Sequence, residues 1–239
     1  MSYIQTITPA LLQGAIISLE LFALTLIFSL PLGLPIALGE NSKLSPLRWF
    51  CKVYVLVFRG TPLMLQLFFF YYFFPICLNI RMDAFPTAVI TFALNYAAYF
   101  AEIYRGGIKS IEAGQYEAAH SLGLSRSQTL FGIILPQTFR IVIPPISNEI
   151  IVLVKDTALA SAIALADIMK VSKSIVNRDG SLMAYVIAAA MYLAFSFLAT
   201  CVMERLEKKD VFVRRKGGLE CTAGNEEYRE GFCRLPGPG

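Results

Sequence analysis

Five apolar runs alternate with short polar links, and each is long enough to belong to a bilayer. The first extends from about Leu11 to Leu38. Residues 1–39 contain neither Lys nor Arg, and Glu20 is their only charge. A spanning helix needs about 20 apolar residues, so this run is predicted to cross once. It is too long for a signal-peptide core and lacks a basic start, which makes it a retained span. Pro31 and Pro35 are expected to kink its second half, which membrane bundles tolerate. The second run is aromatic, with Leu67-Phe68-Phe69-Phe70-Tyr71-Tyr72-Phe73-Phe74 at its centre. Arg59-Gly60-Thr61-Pro62 precedes it, and Pro62 removes a backbone donor there. The third run, about Ala84 to Tyr104, carries the polar pair Asn95-Tyr96. The fourth extends from about Leu130 to Val154 and is expected to be interrupted at Pro136 and at Pro144-Pro145. Val154 to Asn177 is mixed in character and predicts a short re-entrant or surface helix. The fifth run, Ser181 to Met203, has no charge and closes on Glu204-Arg205-Leu206-Glu207-Lys208-Lys209.

Composition agrees with the pattern. The 239 residues are 56% hydrophobic and 16% charged, with a mean hydropathy of +0.60. Soluble domains carry about 25% charged residues, so the chain reads as an all-α integral membrane protein in contact with lipid. Its net charge of +4 is explained by basic helix ends rather than by nucleic acid. The single histidine, His120, argues against histidine-based catalysis or a metal centre. The five cysteines contain no CxxC pair, which leaves no zinc site or disulfide framework. No Gly-x-x-x-x-Gly-Lys-[Ser/Thr] segment occurs, so ATP phosphates have no P-loop here and no cofactor is expected. Without a nucleophile–base set either, a membrane enzyme is the weaker class, and a self-contained channel or secondary transporter is the other rival.

Charge also orients the spans. Lys43, Arg48 and Lys52, then Arg105, Lys109 and Arg126, then Arg205, Lys208, Lys209, Arg214, Arg215 and Lys216 fall on one side of a five-span chain. Arg81, Lys170, Lys173 and Arg178 fall on the other. The positive-inside rule therefore predicts an outer N-terminus and a cytoplasmic C-terminus.

A polar, small-residue segment lies between the third and fourth runs: Glu117-Ala118-Ala119-His120-Ser121-Leu122-Gly123. It predicts a short surface helix ended by Gly123 in the left-handed region. Ser125-x-x-Gln128 then reads as a capping box that opens the next helix. Two small alanines beside a glutamate form a face that another protein can approach closely.

Glu117-Ala118-Ala119, with Gly123, Ile133, Leu135 and Pro136 at their spacings, resembles the EAA loop of permease subunits of ABC importers. Arg59-Gly60-Thr61-Pro62, Ala101-Glu102-Ile103-Tyr104-Arg105 and Val154-Lys155-Asp156-Thr157 resemble the polar amino acid branch of that family. The resemblance runs from about residue 10 to about residue 206. It implies a type I importer permease fold and a coupling helix built on Glu117, Ala118, Ala119 and Gly123. It also implies a second permease subunit, two ATP-binding subunits that hydrolyse the ATP, an extracytoplasmic amino acid-binding protein and a bacterial cytoplasmic membrane. The expected organisation is an outer segment over 1–10, a permease domain over 11–206 with its coupling loop at about 109–136, and a tail over 207–239. That tail is basic, then Gly/Pro-rich, and is expected to be disordered.

Glu149 and Asp156 are the candidate pathway residues. Seven positions apart, they share one helical face, and a carboxylate inside a span costs about 2.5–3.5 kcal/mol on insertion scales. Asp156 at the outer interface, or paired with Lys155, is the competing structural role. The resemblance adds Asn95 to the substrate path, and two acids there favour arginine, lysine or histidine over glutamate, with glutamine or cystine next. Arg59 reads either as a snorkelling side chain at a kink or as part of a pathway-lining break, and its place near the basic end favours the first. Glu20 reads as a packing or interface residue, Arg140 as snorkelling to the cytoplasm, and the Phe/Tyr block as lipid-facing or subunit-interface packing.

Overall fold

The computed structural model describes residues 2–216. The helices are α1 (Ser2–Glu40), α2 (Ser45–Gly60), α3 (Leu63–Cys77), α4 (Ala84–Lys109), α5 (Ala113–Ser121), α6 (Arg126–Thr129), α7 (Leu135–Asp156), α8 (Ile168–Asp179) and α9 (Met183–Lys216). A π-helical turn, Leu130–Ile134, joins α6 to α7, and a 3-10 segment, Thr157–Ile163, follows α7. No strand occurs among the described residues. The stretch after Gly217, where a disordered tail is expected, lies outside the described residues.

Four segments are long and apolar enough to cross a membrane: Tyr3–Glu40, Ala84–Lys109, Arg126–Ile163 and Met183–Glu207. The pair α2 and α3, bent by 110°, makes a fifth if counted as one broken span. The second crossing therefore differs from the expected aromatic run. It begins with the more polar α2 and turns sharply before the aromatics. Pro62 is the cause, because its ring pushes the preceding residue out of the helical region. Thr61 is extended at φ −116°, ψ 147°, and α3 restarts only at Leu63.

The other prolines behave differently. Pro31 and Pro35 lie within one continuous α1, and Pro144 and Pro145 lie within α7 without ending it. Pro136 has no N–H to offer the turn before it, and the backbone there widens to a π-turn with Leu135 N–H donating to the Leu130 carbonyl. Residues 1–10, expected as a segment outside the first span, are helical from Ser2 onward, and α9 continues beyond the expected boundary at 206 to Lys216.

The core is built around α4. Phe92, Tyr96 and Phe100 are fully buried and share one cluster with Leu21 of α1, Leu67 of α3 and Leu153 of α7. The most extensive helix pairing is α1 with α4. Glycines set how closely these helices approach. A Cβ at Gly33 would lie 2.9 Å from the Phe100 Cβ, and one at Gly107 would lie 2.3 Å from the Val142 Cγ1 of α7. Small residues at such crossings substitute close packing for the hydrophobic drive that lipid does not supply.

The mixed segment after α7 forms the 3-10 turn and then α8, which packs against α1 and α9. Asp167 caps α8 by accepting from the Lys170 N–H at 2.8 Å. Its complete burial pushes its carboxyl up to about 6.

Replacing Gly107 by leucine is expected to force α4 and α7 apart and to cost about 1–3 kcal/mol. Gly106 has open space around it, so leucine there should leave stability unchanged. Thermal unfolding of the two variants in detergent measures the difference.

Candidate substrate pathway and coupling surface

The break between α2 and α3 exposes helix-end carbonyls inside the protein, and side chains from two helices satisfy them. The Gln66 amide donates to the Phe58 carbonyl at 2.9 Å, the Thr61 carbonyl at 3.1 Å and the Thr61 hydroxyl at 2.8 Å. Asn95 of α4 donates to the same Phe58 carbonyl at 3.0 Å and to Gln66 Oε1 at 2.9 Å. The amide nitrogen of Asn95 thus holds the break against α4.

The break opens onto a cavity of about 440 Å³ lined by Arg59, Asn95, Tyr96, Tyr99, Glu149 and Asp156, among others. All three sequence-predicted pathway residues line it. Glu149 and Asp156 sit about 10 Å apart along the axis of α7, seven residues at about 1.5 Å each. Asp156 is partly buried and accepts from the Tyr96 hydroxyl at 2.7 Å. Arg59 lies over the Tyr99 ring, 5.4 Å from its centroid, with Nη1 3.6 Å from Glu102. Arg59, for which the sequence favours the snorkelling reading, lines it too, as do Tyr96 of the polar pair and Tyr99, which the sequence does not single out. The signal for Arg59 was its position three residues before Pro62, at the point where a helix must end. Glu20 and Arg140 are exposed and outside this lining.

On the far side of Arg59 lies a wider, basic cavity of about 910 Å³, with Arg48, Lys52, Glu102, Arg105 and Lys109 in its walls. Arg105 engages Glu102 through Nε at 3.0 Å and through Nη2, and lies 3.5 Å from Glu40 at the end of α1.

The coupling candidates sit on α5 and the turn after it. Leu124 N–H donates to the Ala119 carbonyl at 3.1 Å and Gly123 N–H to the His120 carbonyl at 2.9 Å, a Schellman ending. Gly123 has φ +72°, as that ending requires. Ser125 and Gln128 form the predicted capping box, with bonds of 2.9 and 3.3 Å. Glu117, Ala118 and Gly123 are exposed, whereas Ala119 is buried. Leu122, 76% exposed, projects from the same turn.

Residues 29–209 match the family model described as the binding-protein-dependent transport system inner membrane component. The chain belongs to this family. The L-cystine transport system permease protein TcyB of Bacillus subtilis is 44% identical over 207 residues, covering 86% of this chain and 88% of that protein. The arginine transport system permease protein ArtQ of the same organism is 36% identical, covering 84% of this chain and 92% of its own length. A crystal structure of an amino acid ABC transporter with histidines superposes with a TM-score of 0.80 at 32% identity, over 87% of this chain and 97% of the other. The protein is thus a multi-pass permease of the amino acid ABC importers, and the all-α importer fold expected from the sequence is the one observed.

In this permease the Tyr96 hydroxyl donates to Asp156. Tyr96→Phe should therefore lower thermal stability by about 1.5–3 kcal/mol, the loss of a hydrogen bond to a charged group. Tyr99→Phe keeps the ring under Arg59 and should cost little. Differential scanning fluorimetry of the purified complex compares them.

Proposed function

We propose that the cavity beside the α2–α3 break is the translocation path for an amino acid with a cationic side chain. The observation that carries this reading is the lining itself. Glu149 and Asp156 face a single guanidinium, Arg59, which leaves one negative charge in excess. In a low-dielectric site that imbalance favours a guest with net positive charge. Arginine, lysine or histidine meets this condition. Cystine is the second reading: its two ammonium groups also fit a pair of carboxylates, and the 44% identical relative is named for it.

In this reading two permease subunits form the path, because one chain encloses too little space for a gated route. An extracytoplasmic binding protein delivers the substrate, and two ATP-binding subunits supply the energy. The C-terminus is cytoplasmic in the bacterial inner membrane, which puts α5 on the ATPase side. Closure of the ATPase pair pulls the two α5 helices together and rocks the path from inward- to outward-facing. The exposed Glu117, Ala118 and Gly123 make the docking face.

Glu149→Gln in the reconstituted complex with its binding protein should abolish uptake of cationic amino acids and spare neutral ones. Unchanged arginine and lysine uptake, with glutamate carried as well, would remove the reading. Coupling is tested separately. Glu117→Lys, or Gly123→Asp at a left-handed position costing an L-residue about 1–2 kcal/mol, should stop transport while the permease stays inserted. Normal uptake with normal ATPase association in these variants would dismiss the role of α5.

A further inference from the structure

Arg59, Gly60 and Tyr99 line both cavities, and Arg59 is the charged member of the three. Its guanidinium covers Tyr99 and is paired with Glu102 at 3.6 Å. Glu102 is held more closely by Arg105, which in turn approaches Glu40. The chain Arg59, Glu102, Arg105, Glu40 thus links α2, α4 and the end of α1. The bond from Arg59 is its loosest link. With side chains 40% and 29% exposed, such a pair is held weakly. Glu102 also keeps the charge of Arg105 if Arg59 leaves.

We propose that Arg59 is a charge-operated gate between the two cavities, exchanging Glu102 for the α-carboxylate of an amino acid bound against Glu149 and Asp156. This rests on reading the cavity beside the α2–α3 break as an amino acid path. An amino acid brings an anion as well as a cation, and the carboxylates of α7 repel that anion. Arg59 is the lining guanidinium able to receive it, with the fork geometry that matches a carboxylate. Paired with Glu102, Arg59 and Tyr99 stand in the wall between the cavities. Drawn onto the substrate, the guanidinium leaves that wall and the way to the basic cavity opens. The partner exchange makes opening conditional on a carboxylate, so the gate also selects amino acids over simple amines.

The test uses the complete complex, wild type and variants, with arginine and its decarboxylated amine agmatine, and cystine and its decarboxylated amine cystamine. Glu102→Gln removes the resting partner at nearly constant shape. Proteoliposomes loaded with labelled amino acid should then leak without ATP about tenfold faster than wild type. Arg59→Gln should weaken amino acid binding to the detergent-purified permease–ATPase complex, measured without binding protein, by about tenfold or more, the scale of a charged hydrogen bond. Its affinity for the decarboxylated amine should not fall. Arg59→Lys keeps the charge and should restore part of the amino acid affinity, which a purely structural role does not predict. If Glu102→Gln vesicles are as tight as wild type, or Arg59→Gln weakens amino acid and amine equally, the gate is wrong. Wild-type complex that carries neither arginine nor cystine with ATP overturns the transport reading, and the gate with it. Wild-type transport alongside silent variants overturns the gate alone.

Discussion

A backbone carbonyl released inside a membrane protein must find a donor, and at the α2–α3 break that demand organises the functional centre. Pro62 ends α2, the Phe58 carbonyl loses its helical partner, and the amides of Gln66 and Asn95 take its place. In hydrocarbon each unsatisfied group costs several kcal/mol, so the break exists only because these amides are there. The same bonds fix the 110° bend, which turns Arg59 toward the cavity and directs the aromatic α3 away from α2. A single imino acid thereby converts an ordinary span into the wall of a cavity.

Charge is arranged around this break in two tiers. Above Arg59, the α7 carboxylates share a cavity with Asn95 and with Tyr96, whose hydroxyl donates to Asp156. Below it, Glu102 and Glu40 sit among Arg48, Lys52, Arg105 and Lys109. Ionisable groups at membrane depth persist where they pair or line a polar cavity, and both conditions are met here. Arg59 stands at the junction, its cation shared between an aromatic face and a carboxylate.

The candidate coupling segment illustrates the opposite extreme, a local structure closed by its own near neighbours. The Schellman ending at Gly123 and the capping box at Ser125 and Gln128 satisfy the ends of α5 and α6 within a few residues. A protruding element closed by such bonds keeps its shape while the helices beneath it move. The Gln137 amide of α7 donates to Gln115 of α5 at 3.3 Å, while Glu117 and Ala118 stay exposed.

Features decided over short distances were legible in the sequence. Four of the five apolar runs mark segments long and apolar enough to cross a membrane, because the bilayer reads only length and hydrophobicity. Gly123 and the Ser125-to-Gln128 spacing marked a helix end and start because caps are made by near neighbours. The spacing of Glu149 and Asp156 placed them on one face of α7, since helical periodicity needs no tertiary information. Other features required the folded chain. Pro31, Pro144 and Pro145 remain inside helices whereas Pro62 breaks one, an outcome that depends on which neighbours can satisfy the freed backbone. Asn95 was visible as a polar residue in an apolar run, but its partner Phe58 is 37 residues away. Arg59 looked like a snorkelling side chain, and only the bend showed that it faces a cavity with Tyr99 and the acids of α7. The physical reason is the range of the interactions: hydrophobic length, periodicity and caps are written in consecutive residues. Satisfaction of buried polar groups and pairing of charges are settled between helices, where packing alone chooses the partners.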